Sequence, residues 1–228
     1  DHIAPLCEIL QAPLITSNPK IKFSFSRYYP KVNFLIKRWC MGTLLEKYNS
    51  ILYCCNPTPT FRQLIELEKK EHPQSRVWKK KLKLIYHFHG CSDKGYHSSW
   101  KSIANHANEI DLFLIYGQRM LQILKDQNIF DSINRFFFTG NYRKAYYFEH
   151  QSFYDHLVYQ EVFSKLNPKK TTLLYAPTWE DKEGSSSIQS IKEHLIEALP
   201  ERYNLIIKLH PKLSSNQELM HWLTSKLQ

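Results

Sequence analysis

Short runs of β-branched, leucine and aromatic residues alternate along this chain with longer stretches of helical periodicity, and that alternation restricts the fold more than any other feature. It is the pattern of a parallel sheet covered by helices, so the expected class is α/β. Strands are expected at about 12–16, 51–55, 83–88, 111–116, 135–139, 171–176 and 203–209. Most are almost continuously apolar, as strands buried on both faces must be. Helices are expected near 3–10, 32–48, 60–71, 97–108, 117–128, 149–165, 187–199 and 215–226.

A chain of 228 residues accommodates one domain or two small ones. The polar stretch Leu166-Asn-Pro-Lys-Lys170 follows a helix and precedes a fresh strand, which marks a linker. Two domains are therefore expected, 1–165 and 171–228. The second is thin for an independent core, and its Gly184-Ser-Ser-Ser187 loop is expected to be mobile. With 43% hydrophobic residues, wholesale disorder is excluded. No apolar run approaches the roughly 20 residues that a membrane-spanning helix needs, and Asp-His-Ile-Ala-Pro does not read as a secretory leader. The five cysteines include the adjacent Cys54 and Cys55 and form no Cys-x-x-Cys pair, so neither a disulfide framework nor a zinc ribbon is expected. A cytoplasmic location fits best.

The net charge of +10 is unevenly placed. Residues 1–101 carry 17 basic and 7 acidic side chains, whereas residues 102–228 carry 14 of each. A one-sided positive field attracts a phosphate-rich partner or an anionic membrane surface. A solvated basic face explains it equally well. Nucleic acid is not an expected partner, because no recognised nucleic-acid motif accompanies the charge.

Four strand ends carry chemistry. In Tyr86-His-Phe-His-Gly-Cys-Ser-Asp-Lys-Gly95 a strand runs into a loop with two glycines, a lysine and histidines. Ligands of open α/β sheets bind beyond the carboxyl ends of the strands, so His89 is placed near the crevice, with Gly90 permitting close backbone approach and Lys94 supplying a phosphate-pairing cation. A neutral imidazole there suits proton removal from a hydroxyl. His87, His89, Cys91 and His97 contain metal-ligating groups, with His87 and His89 on one strand face, but their spacing matches no zinc pattern and no metal is expected. Phe136-Phe-Phe-Thr-Gly-Asn-Tyr-Arg143 is a second strand end, with Gly140 in a turn, Arg143 at the exit and three phenylalanines expected in the core. Tyr175-Ala-Pro-Thr-Trp179 and Ile207-Lys-Leu-His-Pro211 are the third and fourth. Their prolines end the strands and present Thr178 and His210, while Lys208 and Lys212 flank His210 and suit a diphosphate. Trp179 reads as packing more readily than as a base-stacking platform.

These four segments, in this order, resemble the glycerophosphotransferases that use CDP-glycerol and build teichoic-acid-like polymers. The carriers are His89-Gly90 with Lys94, Gly140 with Arg143, Tyr175-Ala-Pro-Thr-Trp179 and Leu209-His-Pro211, and the opening His2-Ile-Ala-Pro-Leu6 also matches. The resemblance implies Rossmann-like parallel sheets in a glycosyltransferase-B architecture, with residues 1–165 as acceptor domain and 171–228 as part of a nucleotide-binding domain. It makes His89 and His210 catalytic, the first as base or positioning group for the acceptor hydroxyl and the second as stabiliser of diphosphate charge. Gly90, Lys94, Gly140, Arg143, Thr178, Trp179 and Lys208 become substrate-binding residues. The implied donor is CDP-glycerol or a related nucleotide-activated compound, the acceptor a polyol phosphate or glycolipid, and no cofactor is called for. The family continues beyond its Leu-His-Pro strand into a segment that holds the nucleotide, so an incomplete second domain is expected, and with it a chain of reduced or absent activity. Glu180 stands where the family has a basic residue, and Cys91-Ser-Asp93 replaces its Thr-Pro-Leu.

Two alternatives stay open at this stage: a nucleotide-sugar glycosyltransferase of the same architecture, and a non-catalytic remnant that binds anionic surfaces. Peripheral contact with the inner face of the cell membrane is expected through Lys20, Lys22, Arg27, Lys31, Lys37 and Arg38. Helix 32–48 would add Phe34, Leu35, Trp39 and Met41 as its apolar side.

Overall fold

The computed structural model describes residues 2–16, 18–36, 41–54, 58–79, 81–88, 103–179, 186–188, 190, 193–194, 199 and 202–226. The architecture is α/β with parallel sheets and flanking helices, an arrangement consistent with glycosyltransferase-B topology. The chain divides into two compact units, Asp1–Gln151 and Ser152–Gln228.

The first unit is built on a four-stranded parallel sheet of β3 (Ser50–Tyr53), β4 (Lys83–His87), β5 (Leu112–Ile115) and β6 (Phe136–Phe138), in that spatial order. Successive residues of a strand face opposite sides, and the burial follows. Tyr53, Leu84, Tyr86, Phe113 and Ile115 turn to one face. There they meet Met41, Leu44 and Leu45 of α3 (Met41–Lys47), Phe61 of α4 (Thr58–Glu71), and Met120 and Leu124 of α5 (Gln118–Asp126). Leu52, Ile85, Leu112 and Leu114 turn to the other face, against Leu6 of α1 (Ala4–Ile9) and Tyr142 of α6 (Tyr142–Glu149). Helices thus cover both faces, as an all-parallel sheet requires. Glu68 of α4 fixes α3 by accepting from the amides of Met41 and Gly42 at 2.6 and 2.8 Å, satisfying two donors that a helix start leaves orphaned.

A separate two-stranded parallel sheet joins β1 (Leu14–Thr16) to β2 (Phe34–Ile36). The connection runs through α2 (Pro19–Ser26), started by Asn18, whose side chain accepts from the Lys20 amide at 3.0 Å, and by Pro19 in the first turn. Here the structure corrects the expected helix over 32–48. Phe34, Leu35 and Ile36 form a strand with Phe34 buried, and Met41 is fully buried in α3, so these residues supply no apolar side for a lipid-facing helix. Trp39, Lys37 and Arg38 lie outside the described residues. The expected helix 149–165 is likewise interrupted, because α6 ends at Glu149 and α7 (Gln151–Glu161) begins after His150.

The phenylalanines of β6 are a further correction. β6 is an edge strand, and Phe136, Phe137 and Phe138 are all exposed, Phe137 by 63%. Among the described residues the strand has a neighbour on one side only, and its apolar composition reflects pleated-surface propensity rather than burial.

The second unit contains α7, apart from its first residue, and a two-stranded parallel sheet of β7 (Thr171–Tyr175) and β8 (Tyr203–Ile207). The short helix α8 (Pro211–Ser214) and α9 (Gln217–Lys226) follow β8. Its core gathers Ile188, Leu213, Leu219 and Leu223, with Tyr175, Trp179, Ile207, Leu209 and Trp222 packed against them. Asn204 stitches the turn before β7 to the sheet. Its Nδ2 donates to the carbonyls of Asn167 and Lys170 and to Thr172 Oγ1, at 2.8, 3.3 and 3.2 Å.

Core and edge phenylalanines are expected to separate sharply in chemical denaturation. Phe113→Ala, at a fully buried position, should lower the unfolding free energy by about 3–5 kcal/mol. Phe137→Ala should change it by less than about 0.5 kcal/mol.

Candidate functional site

All four strands of the larger sheet run the same way, so their carboxyl ends and following loops lie along one edge. That edge brings together His87 at the end of β4, Tyr116 just past β5, and Gly140, Asn141, Tyr142 and Arg143 between β6 and α6. Gly140 has φ +61° with nothing within 4 Å of a hypothetical Cβ, so glycine is needed there for backbone conformation and not for space. The turn aims the chain into α6, where the Asn141 side chain caps by accepting from the Lys144 amide at 3.1 Å.

Arg143 is exposed, and its Nη1 lies 3.2 Å from His2 Nδ1. A guanidinium only donates, so His2 Nδ1 accepts and its ring proton sits on Nε2. The Tyr142 hydroxyl donates to the His2 carbonyl. Burial, and then the neighbouring Tyr116, push the Tyr142 phenol far above its ordinary value, so it remains a donor. His87 is enclosed by these rings, edge-on to Tyr116 at 4.8 Å and to Tyr142 at 5.0 Å, while the two tyrosines stack at 5.9 Å.

In the second unit the ends of β7 and β8 bring Thr178, Trp179, Lys208 and His210 to one edge. His210 caps α8, its Nδ1 accepting from the Lys212 amide at 3.2 Å. With that lone pair engaged, the neutral ring carries its proton on Nε2, as a donor suited to an anionic oxygen. Lys208 is exposed and continues the ladder, donating its amide to the Tyr175 carbonyl at 2.9 Å. Trp179 packs against the core as expected, and the Lys212 ammonium lies 3.7 Å over its ring, in cation–π contact. The Trp179 and His210 rings are 6.3 Å apart. The Thr178 carbonyl accepts from the Ser186 hydroxyl at 2.7 Å.

Each unit therefore assembles its own strand-end cluster, Gly140 with Arg143 in one and Thr178, Trp179, Lys208 and His210 in the other. His89, Gly90 and Lys94 lie outside the described residues, as do Cys91 and His97. Among the described residues no group of three or more histidine, cysteine or acidic side chains is placed to hold a metal ion. His2, Tyr116 and Tyr142 were missed as site neighbours by motif reading. The available signal was position, since Tyr116-Gly117 follows an apolar strand as His89-Gly90 does.

Burial, opposed by the Phe88 backbone and helped by the positive charge of Arg143 and by His2 when it is protonated, lowers the His87 pKa from 6.5 to about 4. The unfolded chain takes up this proton below 6.5 and the folded chain only near 4, so the unfolded state binds more protons in between. Stability should fall as pH drops from about 6.5 to about 4. Urea unfolding across that range should show the fall in the wild type and a shallower one in His87→Phe.

Compared with families of known proteins, residues 87–223 match the one described as CDP-Glycerol:Poly(glycerophosphate) glycerophosphotransferase. No curated protein and no solved structure matches the chain significantly. The matched span begins at His87 and takes in the ends of β4, β5, β6, β7 and β8. It covers more than half of the 228 residues, and the chain belongs to the CDP-glycerol:poly(glycerophosphate) glycerophosphotransferase family.

Proposed function

We propose that this chain transfers glycerol phosphate from CDP-glycerol, or a related nucleotide-activated donor, to a hydroxyl of a polyol-phosphate or glycolipid acceptor. In this reading residues 1–165 form a Rossmann-like acceptor domain and 171–228 a nucleotide-binding domain of glycosyltransferase-B type. The acceptor oxygen attacks the phosphorus bearing glycerol, the bond from that phosphorus to CMP breaks, CMP leaves, and the hydroxyl proton passes to His89. Such transfers depend on positioning and on cations at the phosphoryl oxygens. Lys94 and Arg143 serve the acceptor side, with Gly90 and Gly140 giving backbone access, while Lys208 and His210 serve the diphosphate beside Thr178 and Trp179.

The observation that carries the reading is the geometry of His210 in a chain of this family. Its Nδ1 accepts from the Lys212 amide, so in the neutral ring the proton sits on Nε2, the donor this reading assigns to the charge that develops on departing CMP. His210→Asn separates this role from capping, because asparagine is itself a strong N-cap. Incubation with CDP-glycerol and a polyol-phosphate acceptor should release CMP, and His210→Asn should cut the rate by about 100-fold or more, with an unchanged melting temperature. A folded wild type that neither binds CDP-glycerol nor releases CMP would establish the remnant reading instead.

A second feature supports peripheral attachment at the inner face of the cell membrane. The helix α2 has no buried residue, and its Phe23 is 86% exposed. Residues three and four apart share a helix face, so Phe23 lies between Lys20 and Arg27. Lys22 is also exposed, as is Lys31, whose ammonium lies 3.8 Å from Glu8 Oε1, and residues 18–31 contain no acidic side chain. An apolar ring among cations is what an anionic lipid surface selects, each cation adding on the order of 1 kcal/mol. Among the described residues no helix is long and apolar enough to cross a membrane. Co-sedimentation with anionic vesicles should fade with salt, be absent with neutral vesicles, and drop in Phe23→Ser and in Lys20→Glu. Indifference to lipid charge overturns this attachment.

A further inference from the structure

One polar side chain at the carboxyl edge of the larger sheet is left unanswered. His87 has 0% exposure, and neither ring nitrogen makes a well-formed hydrogen bond among the described residues, the Phe88 backbone offering only a contact that favours the charged ring. Buried polar groups are otherwise paired almost without exception, so an imidazole in this state indicates a missing partner. The surroundings restrict what that partner is. Two tyrosine rings enclose the imidazole, and the nearby charged groups that act on it, His2 and Arg143, are positive or positive when protonated. A metal cation is disfavoured there and a neutral or anionic group is favoured.

We propose that His87, Tyr116 and Arg143 form a subsite for the phosphorylated polyol end of the acceptor, a polyol hydroxyl pairing with the His87 imidazole and the adjoining phosphate with the Arg143 guanidinium. The imidazole stays neutral at ordinary pH, because burial holds its pKa near 4. A neutral ring offers one donor and one acceptor, which matches a hydroxyl. Arg143 is exposed, so the phosphate remains at the surface, and because His87 itself has no exposure the hydroxyl reaches it as the half-buried Tyr116 ring swings aside. The planar guanidinium suits phosphate oxygens, and the stacked tyrosine faces suit the C–H surface of a polyol. This subsite rests on the transfer reading above and deepens it, making His87 a determinant of which acceptor binds.

The probe is glycerol 3-phosphate, titrated calorimetrically into the whole chain, with inorganic phosphate as the comparison lacking a polyol. His87→Phe keeps the ring contacts and removes both nitrogens. It should weaken glycerol 3-phosphate by about tenfold or more, tenfold being 1.4 kcal/mol, and leave inorganic phosphate unchanged. Its melting temperature at neutral pH should equal or exceed that of the wild type, since an unpaired buried polar group has been removed. Arg143→Gln should weaken both ligands. In the wild type, glycerol 3-phosphate should move the ¹⁵N resonances of the His87 ring, a readout that decides the matter if His87→Phe does not fold. Unaltered ¹⁵N resonances, absence of wild-type binding, or equal affinity in His87→Phe overturns the subsite. CDP-glycerol binding and CMP release are measured separately. Their presence without glycerol 3-phosphate binding sinks the subsite alone, and glycerol 3-phosphate binding without them sinks the transfer reading alone.

Discussion

Parallel pairing is the constraint on which the rest of this structure depends. Every described strand pair is parallel, so within each sheet all carboxyl ends meet on one edge and every chain reversal needs a crossover. Helices α3, α4 and α5 bury Tyr53, Leu84, Phe113 and Ile115 on one face, and α1 and α6, which flank the sheet in sequence, cover Ile85 and Leu114 on the other. The same geometry delivers His87, Tyr116, Gly140 and Arg143 to a common edge, although they are spread over more than fifty residues of sequence. Site and core are thus two consequences of one hydrogen-bonding pattern.

Both strand-end clusters solve the same electrostatic problem. Each places an exposed cation beside a histidine whose tautomer is set by a local donor, Arg143 acting on His2 and the Lys212 amide acting on His210. A fixed tautomer presents a defined donor without requiring a positive charge on the ring. His87 is the third case, kept neutral by burial instead of by a partner. A neutral imidazole beside an exposed cation presents a directed donor at a lower desolvation cost than a buried cation would carry.

The α/β class and the seven expected strands were legible because buried parallel strands announce themselves as apolar runs, and β4, β5, β7 and β8 fall where those runs lie. Phe34-Leu35-Ile36 was not legible as β2, since three apolar residues beside a longer amphipathic stretch do not reveal their period. The segment Lys20-Ile-Lys-Phe-Ser-Phe-Ser26 alternates like a strand yet forms α2, and only Asn18-Pro19 signalled a helix start. Phe136, Phe137 and Phe138 were misplaced in the core because sequence reports hydrophobicity, whereas exposure is decided by a strand's place in the sheet. The strand-end positions of Arg143 in the first unit and of His210 in the second were legible from the glycine turn and the proline that follow their strands. His87 was considered only as a metal ligand, because the absence of a hydrogen-bond partner becomes visible only once neighbouring backbone and side chains are placed.

The spatial order of the larger sheet, β3-β4-β5-β6, is also its order in the chain. Ser50 pairs with Lys83, Ile85 with Leu112, and Phe113 with Phe136, so these contacts close loops of 33, 27 and 23 residues. Leu14 with Phe34 and Thr171 with Tyr203 close loops of 20 and 32. The entropy of closure grows only logarithmically with loop length, so these steps carry similar costs and none waits on a distant segment. A chain wired in this way can build its sheet from the amino terminus as it leaves the ribosome, each strand docking on a template already made.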